Sequence, residues 1–383
     1  MAFGNSLLVA AGDGGALLAF DTGGKTPAPS ITAQPVARAA SAGDSVRFSV
    51  TAQNAAGAVY QWHKDGQAIP GANSPVLNIS SASTADAGNY TVSITSPTGS
   101  TISSAASLSF GAPANPGRLV NLSILTSLAS ADDEFRFGVV VGGSGTAGGK
   151  AVLMRAVGPS LAAFGVGDAL PDPKLEFFTG TTAVGGNDNW GGSASIAAAM
   201  AGVGAFPFAQ PDSRDAAISF ASLAIGPSSA RIFGTGSGQV LAELYDATPS
   251  NQFTATTPRL VNVSVLKHLG SGVTAGFVIG GSSARRVLVR AIGPSLAAFG
   301  LDGTVADPRM TLFAGQTERG GNDNWGGGSS LAAAFNQVGA FPLAADSRDA
   351  ALLVTLEPGN YTVQVAGVGG TTGVALIEVY EMP

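Results

Sequence analysis

The chain contains 383 residues with a formal net charge of −6, and it has 54 Gly, 21 Pro and no Cys. The lack of Cys excludes disulfides, Cys-ligated zinc and a thiol nucleophile, and the acidic balance without a Lys/Arg cluster argues against nucleic-acid binding. Only 11% of the residues are charged, less than half of the roughly 25% typical of soluble domains. We interpret this charge-poor composition as a sign of assembly; a neutral Ser/Thr/Gly/Asn surface is the alternative interpretation.

The first 26 residues predict a β-hairpin, because the apolar strings SLLVAA and ALLAFD flank a GDGG turn. An isolated hairpin is marginally stable in water, so we expect this one to dock on its own chain or to add a strand to a neighbouring subunit. The residues expected to make this contact are Leu7, Leu8, Val9, Leu17, Leu18 and Phe20. The string SLLVAAGDGGALLAFDTGGK resembles the end of one repeat of a PQQ-type β-propeller.

Residues 27–112 are expected to form one domain, with strands at DSVRFSV (44–50), YQWHKDGQAIPGA (60–72) and DAGNYTV (86–92). These strings resemble an immunoglobulin-like domain of the I-set kind found in bacterial surface proteins. The resemblance implies that Trp62 is the tryptophan of strand C and that Tyr90 forms the tyrosine corner. Phe48 and Val92 then stand approximately where the two cysteines belong, so Trp62 is expected to pack against apolar side chains.

The rest of the chain contains one long pattern twice. KAVLMRAVGPSLAAFG (150–165) recurs as RVLVRAIGPSLAAFG (286–300), and both GGNDNWGG and DSRDAA recur after about the same interval. A period of 134 to 135 residues indicates a duplicated domain rather than a short-period solenoid. Short β-branched runs ended by Gly or Pro predict one β-sandwich at 113–250 and a second at 251–383. A helical interruption is expected at SIAAAMAGVG and at SLAAAFNQVG.

The end of the second copy, from MTLFAGQTERGGNDNWGG through PGNYTVQVAGVGG, resembles a bacterial pre-peptidase C-terminal domain. Such domains are small β-sandwiches appended to secreted proteins, so the resemblance implies a location and no activity. The first copy follows the pattern less well, because GPSSARIFGTGSG replaces the segment with the Pro-Gly-x-Tyr turn.

The NDNW loop is the strongest candidate for ligand chemistry. Each copy places several hard oxygen atoms, the ligands that Ca²⁺ requires, on a Gly-flanked loop. The residues are Asn187, Asp188 and Asn189 in the first copy and Asn322, Asp323 and Asn324 in the second. The alternative is an Asx turn, in which these side chains bond their own backbone while the Trp closes the sandwich. An exposed Trp190 or Trp325 stacking on a sugar is a third interpretation.

Arg155 and Arg290 lie inside the apolar runs VLMRAVG and VLVRAIG, and a buried Arg requires a partner. Because the DSRD carboxylates recur at the same distance downstream, we expect structural ion pairs within two matched sets. The first set is Arg155 with Asp212 or Asp215, and the second is Arg290 with Asp346 or Asp349.

The sequence offers no recurring set of catalytic groups. His63 and His268 are the two histidines, neither is duplicated, and nothing points to a Ser/His/Asp arrangement. GGSGTAGG and GTGSG lack the strand-to-helix context of phosphate loops. The repeated GPSLAAFG is better interpreted as a packing or interface segment than as a ligand site.

Together these patterns predict an all-β chain of tandem β-sandwiches, one immunoglobulin-like and two related to pre-peptidase C-terminal or jelly-roll-like domains, behind a short N-terminal β-hairpin. The function that fits is a non-catalytic extracellular or cell-surface structural protein whose copies assemble into a fibre, sheath or surface layer. The alternative is an adhesion or carbohydrate-binding region of a larger secreted protein, with surface glycans as partners. No cofactor is expected apart from the Ca²⁺ considered above, and no stretch reaches the ~18 consecutive apolar residues that span a bilayer.

Overall fold

The computed structural model describes residues 2–4, 7–11, 17–21, 27–40, 44–110, 115–270 and 272–383. The all-β class predicted from the sequence is confirmed, since strands dominate these residues. The chain divides into two compact units, Met1–Ala112 and Pro113–Pro383. In the described residues, neither α-helix has the length and apolar character needed to cross a membrane.

The N-terminal hairpin is present and carries one strand more than predicted. β2 (Leu7–Ala11) pairs antiparallel with β3 (Leu17–Asp21), and β1 (Ala2–Gly4) pairs with the other side of β2. β1 and β3 are therefore the edges of a three-stranded sheet. The side chains of the six residues expected to make contacts here lie outside the described part of the chain.

The remainder of the first unit folds as small sheets around one core. Its strands are β4 (Ser30–Ala33), β5 (Arg38–Ala40), β6 (Val46–Ser49), β7 (Thr51–Gln53), β8 (Val59–Lys64), β9 (Gln67–Ala68), β10 (Val76–Ile79), β11 (Gly88–Ser96), β12 (Gly99–Ile102) and β13 (Ala106–Phe110). The main sheet has the order β5-β13-β11-β8-β9, with β12 also paired to β11. β6 pairs with β10, and β4 pairs with β7.

Aromatic side chains fill the core of this unit. The Phe48 ring stacks on Tyr90 with centroids 4.8 Å apart and lies 6.1 Å from Trp62. Trp62 and Val92 are fully buried in the same apolar cluster. The Tyr90 hydroxyl donates to the Asp86 carbonyl at 2.7 Å, which is the tyrosine-corner hydrogen bond. Apolar packing therefore occupies the place of the missing disulfide.

Tyr90 makes part of the stability of this core depend on pH above 10. Burial, helped by the charges of Asp86 and Asp65, raises the pKa of Tyr90 from 10.0 to about 12. Folding thus favours the protonated phenol, so Tyr90 contributes stability below pH 10 that is lost as the pH rises toward 12. We expect the difference between the tyrosinate absorbance titrations of the full chain and of Tyr90→Phe to have its midpoint near 12. A difference midpoint near 10 with the circular dichroism unchanged would contradict this expectation.

The second unit consists of two eight-stranded sheets packed face to face. Sheet 1 has, in spatial order, β19 (Ala216–Leu223), β16 (Lys150–Val157), β21 (Gly238–Asp246), β14 (Arg118–Leu128), β23 (Val273–Gly280), β28 (Gly359–Gly367), β25 (Pro308–Ala314) and β26 (Thr317–Asn322). Sheet 2 has β18 (Thr182–Asn187), β17 (Asp172–Thr179), β20 (Gly226–Thr235), β15 (Phe135–Gly142), β22 (Arg259–Leu269), β29 (Gly373–Glu381), β24 (Arg285–Ile292) and β27 (Ala350–Leu356).

The two sequence repeats do not form the separate sandwiches expected at 113–250 and 251–383. Each repeat contributes four strands to each sheet, and the repeats join where β14 pairs with β23 and β15 pairs with β22. One apolar core runs through both repeats. The physical reason is that β14 and β15 would otherwise be sheet edges with unpaired backbone groups, and the sibling repeat supplies their partners. Equivalent strands of the two repeats consequently lie in opposite sheets.

One helix packs on part of the outer face of each sheet, in the positions where the sequence predicted a helical interruption. α1 (Ala194–Gly202) packs with Leu153 and Val157 of β16, and α2 (Ser329–Val338) packs in the same way on β24. β16 and β24 are thus covered on both faces, which explains their continuous apolar runs. Short 3-10 turns occur at Thr84–Asp86, Pro159–Phe164, Ser250–Gln252, Pro294–Phe299 and Val368–Gly370.

Candidate functional site

The two buried arginines are paired, but with partners other than the DSRD carboxylates expected from the sequence. Arg155 on β16 is fully buried, and its Nε lies 3.0 Å from Oε2 of Glu243 on the neighbouring strand β21. Arg290 on β24 repeats this arrangement with Glu378 on β29, at 2.8 Å. The expected pairing with the DSRD carboxylates is therefore wrong. The antiparallel register decides the pairing, because Arg155 lies directly opposite Glu243 and Arg290 directly opposite Glu378.

Aromatic rings and a carbonyl complete the surroundings of each guanidinium. Arg155 Nη1 donates to the carbonyl oxygen of Phe206 at 2.6 Å, and the Phe206 ring lies 4.4 Å from the guanidinium carbon. The Tyr245 hydroxyl donates to the second oxygen of Glu243 at 2.7 Å, and burial raises the pKa of Tyr245. Every charged atom of the pair has a partner, so this arrangement is a closed structural unit.

The second Asp of each DSRD string has a different role from the expected one. Asp215 is fully buried and accepts hydrogen bonds from the backbone N–H of Gly158 at 2.8 Å and of Ser160 at 3.3 Å. It also accepts the hydroxyls of Ser160 and Ser213. Asp349 accepts the equivalent four donors in the second repeat. Each carboxylate therefore fixes the start of the 3-10 turn in GPSLAAFG, while Asp212 and Asp346 are exposed.

In each NDNW loop the side chain of the first Asn bonds the backbone, whereas the Asp188 carboxylate lies 3.4 Å from Nζ of Lys174. Asn187 Oδ1 accepts from the Ala217 N–H at 3.0 Å, and Asn187 Nδ2 donates to the Asn189 carbonyl at 2.9 Å. Asn322 makes the same pair of bonds in the second repeat. In the part of the chain that the structure describes, no three His, Asp or Glu residues come together in a way that could hold a metal ion. These bonds to the backbone favour a structural role of the loops over the Ca²⁺ interpretation.

The tryptophans of the two NDNW loops pack against the protein and are not displayed to solvent as a sugar-stacking ring would be. Trp325 is 7% exposed, and its Nε1 donates to the Ala344 carbonyl at 2.8 Å. Trp190 is half-buried, and its Nε1 donates to the Gln210 carbonyl at 3.1 Å. Each ring also contacts a Phe with centroids 5.3 Å apart. The structure thus gives no support to a sugar-stacking role. His63 lies half-buried on β8 of the first unit, and His268 is exposed on β22 of the second.

The most exposed aromatic side chains described in the second unit stand at equivalent positions of the two repeats. Phe164 is 62% exposed and Phe299 is 61% exposed. Each is preceded by two exposed alanines and rests edge-on against a second Phe, with centroids 4.7 and 4.9 Å apart. We name these surfaces the Phe164 patch (Ala162, Ala163, Phe164, Phe206) and the Phe299 patch (Ala297, Ala298, Phe299, Phe341). A cleft of about 560 Å³ lies between Phe299, Phe341, Pro294 and Pro342.

A buried carboxylate and a terminal Gly hold the turn that carries each patch in place. The Asp215 carboxylate fixes the first residues of the Phe164 turn, and the turn ends at Gly165, which has φ +82°. A left-handed residue at that position requires Gly, and Gly300 has the same role after Phe299 with φ +75°. The repeated GPSLAAFG, expected to be a packing or interface segment, has its last three side chains in solvent.

Comparison with known proteins identifies one part of the chain. A search of curated proteins finds no match. Titin M4 is similar at 23% identity, covering 22% of this chain and 98% of that chain, with a TM-score of 0.21. The N-terminal four Ig domains of Dscam1 are similar at 27% identity, covering 22% of this chain and 20% of that chain, with a TM-score of 0.19. The N-terminal Ig1-2 module of the Drosophila receptor protein tyrosine phosphatase DLAR has 24% identity, coverages of 26% and 57%, and a TM-score of 0.21.

The resemblances to pre-peptidase C-terminal domains and to a propeller repeat stay predictions. The family model described as an immunoglobulin domain matches residues 28–96. This segment, with its buried Trp62 and its tyrosine corner at Tyr90, is an immunoglobulin-like domain.

Proposed function

We propose that this protein is a non-catalytic extracellular structural protein whose copies associate through the Phe164 and Phe299 patches. The observation that carries the proposal is the exposure of a large aromatic ring at the same position of both repeats, 62% in one and 61% in the other. Large aromatic side chains are enriched among the residues that dominate binding energy at protein interfaces.

The way the patches are built supports this role. A buried carboxylate fixes each turn, so an exposed ring is presented in a preset orientation and less conformational entropy is lost on binding. The ring alone exposes too little area for a stable interface, but two alanines beside it extend the apolar surface. Because charged residues are only 11% of the chain, few charges oppose the contact.

The arrangement of the repeats supports an open assembly. The Phe164 patch follows β16 of sheet 1, and the Phe299 patch follows β24 of sheet 2. Each patch belongs to the helix-covered outer side of its sheet, so the second unit carries one patch on each of two opposite sides. A molecule with two contact surfaces on opposite sides forms chains rather than closed dimers. We therefore propose a fibre, sheath or surface layer as the product.

Strand addition at the N-terminal sheet is the second contact that we propose. β1 and β3 form the two edges of this sheet, and an edge strand can extend its hydrogen bonding to a strand of another chain. Leu7, Leu8, Val9, Leu17, Leu18 and Phe20 lie on β2 and β3 and are the residues proposed for this contact. Deleting residues 1–26 should then reduce the size of the assemblies without abolishing the association through the patches.

Sedimentation at increasing concentration tests the main proposal. We expect the average mass of the full chain to rise above 37.7 kDa, and each of Phe164→Ser and Phe299→Ser to weaken association about tenfold. Val184→Ser is the matched control, because Val184 is an exposed apolar residue of the same unit and lies outside both patches. A full chain that stays at 37.7 kDa at every concentration would overturn the proposal.

A further inference from the structure

A lysine and an aspartate lie in close contact inside the second unit, at the ends of two neighbouring strands. Lys150 begins β16 and Asp246 ends β21, with Nζ 2.6 Å from Oδ1. The two side chains are 0% and 1% exposed. Val152 lies directly opposite Asp246 in the register, so Lys150, two residues earlier, faces the same side of the sheet. The pair is therefore held in a fixed orientation away from water.

The carboxyl group of Asp246 is polarised by donors on both oxygens. The backbone N–H of Thr248 donates to Oδ1 at 2.9 Å, and Nε of Arg118 lies 3.4 Å from Oδ2. Donors in these positions withdraw electrons from Cγ and would stabilise negative charge on an oxygen of a tetrahedral intermediate.

The amine of Lys150 is placed and activated as a nucleophile. Nζ donates to the Thr248 hydroxyl at 2.9 Å, which fixes its direction beside Asp246. Burial, and the nearby charge of Arg118, lower the pKa of Lys150, although Asp246 opposes the shift. A lowered pKa raises the share of free amine. The Phe253 ring, 5.5 Å from Nζ and 3.9 Å from the Arg118 guanidinium, helps to exclude water.

We propose that Lys150 and Asp246 become joined by an intramolecular amide bond. Nζ of Lys150 attacks Cγ of Asp246, a C–N bond forms, and one Cγ–O bond breaks. The departing oxygen takes two protons from the ammonium group and leaves as one water molecule. The opposite charges of the pair disappear together, and the reaction needs no oxidant, reductant or other reactant. In water, two separate groups would need a very high concentration to react in this way. Here the fold holds the amine and the carboxyl group in contact, in a fixed orientation and away from water, which has the same effect.

The second repeat supplies a natural comparison. Arg285 and Glu381 stand 135 residues after Lys150 and Asp246 and form an ion pair at 2.9 Å. A guanidinium keeps its proton in proteins and is not a nucleophile of this kind. The cross-link is thus confined to the first repeat, where it joins β16 to β21 across an intervening segment that includes α1. In a chain without Cys, it supplies a covalent constraint of the kind that disulfides supply elsewhere.

Intact-mass spectrometry of the denatured full chain tests the proposal. We expect a mass about 18 Da below the sequence mass, equal to one lost water, and a branched tryptic peptide that links Lys150 to Asp246. Lys150→Arg carries the residue found in the second repeat, keeps the positive charge, and should restore the full sequence mass. Asp246→Ala should do the same.

Two results would overturn the proposal. The first is a full chain whose mass equals the sequence mass, a result that does not depend on whether either variant folds. The second is a loss of about 18 Da that persists in Lys150→Arg, because dehydration elsewhere, such as a succinimide at another Asp, would then account for it.

Discussion

Replacement of Arg155 by Met is expected to lower the free energy of unfolding of the second unit by about 3–5 kcal/mol. The substitution leaves the buried Glu243 without its guanidinium and the Phe206 carbonyl without its donor. An uncompensated charge in a buried site costs far more than the loss of a surface ion pair. Chemical denaturation followed by circular dichroism measures the effect.

The matched control is Arg214→Met, because the Arg214 side chain is 66% exposed and its nearest carboxylate is 4.0 Å away. This change should alter stability by less than about 0.5 kcal/mol. Removing both members of the buried pair, as Arg155→Met with Glu243→Leu, should recover part of the loss, since no charge is then stranded. A single variant at Arg155 that is no less stable than the Arg214 control would contradict the role assigned to the pair.

Replacement of Asp215 by Ala should destabilise the second unit by about 3 kcal/mol or more, because it leaves several buried donors without an acceptor. These donors are the N–H groups of Gly158 and Ser160 and the hydroxyls of Ser160 and Ser213. Asp212→Ala is the control within the same DSRD string, and we expect it to be nearly neutral because Asp212 is exposed. Thermal unfolding of the two variants gives the comparison.

The Asp215→Ala variant also tests whether the fixed turn is needed for the proposed self-association. Loss of the carboxylate frees the turn that presents Phe164, so self-association should weaken even at temperatures where the second unit stays folded. The Asp212 variant should associate as the unchanged chain does. Equal stability of the Asp215 and Asp212 variants would show that the buried carboxylate does not hold the turn.

Local patterns in the sequence were sufficient for several features. Strands ended by Gly and Pro predicted the all-β class, and Ala-rich strings predicted the positions of α1 and α2. The apolar run around Arg155 predicted its burial, because a charged residue inside such a run has no route to solvent. The resemblance carried by Trp62 and Tyr90 predicted the immunoglobulin-like domain. Each of these inferences depends on residues close together in the chain.

Which side chains pair with each other, and which strands pair between the repeats, was decided only by the tertiary structure. Glu243 and Asp215 both recur in the second repeat at the same or nearly the same distance after the Arg, so the repeat could not distinguish them. The antiparallel register of β16 and β21 placed Glu243 opposite the guanidinium. The junction between the repeats was equally invisible, since β14 and β22 have nearly the same sequence and nothing in it indicates that β14 pairs with β23 and β22 with β15. Pairing and register depend on which edges meet in space, and a one-dimensional period does not contain that information.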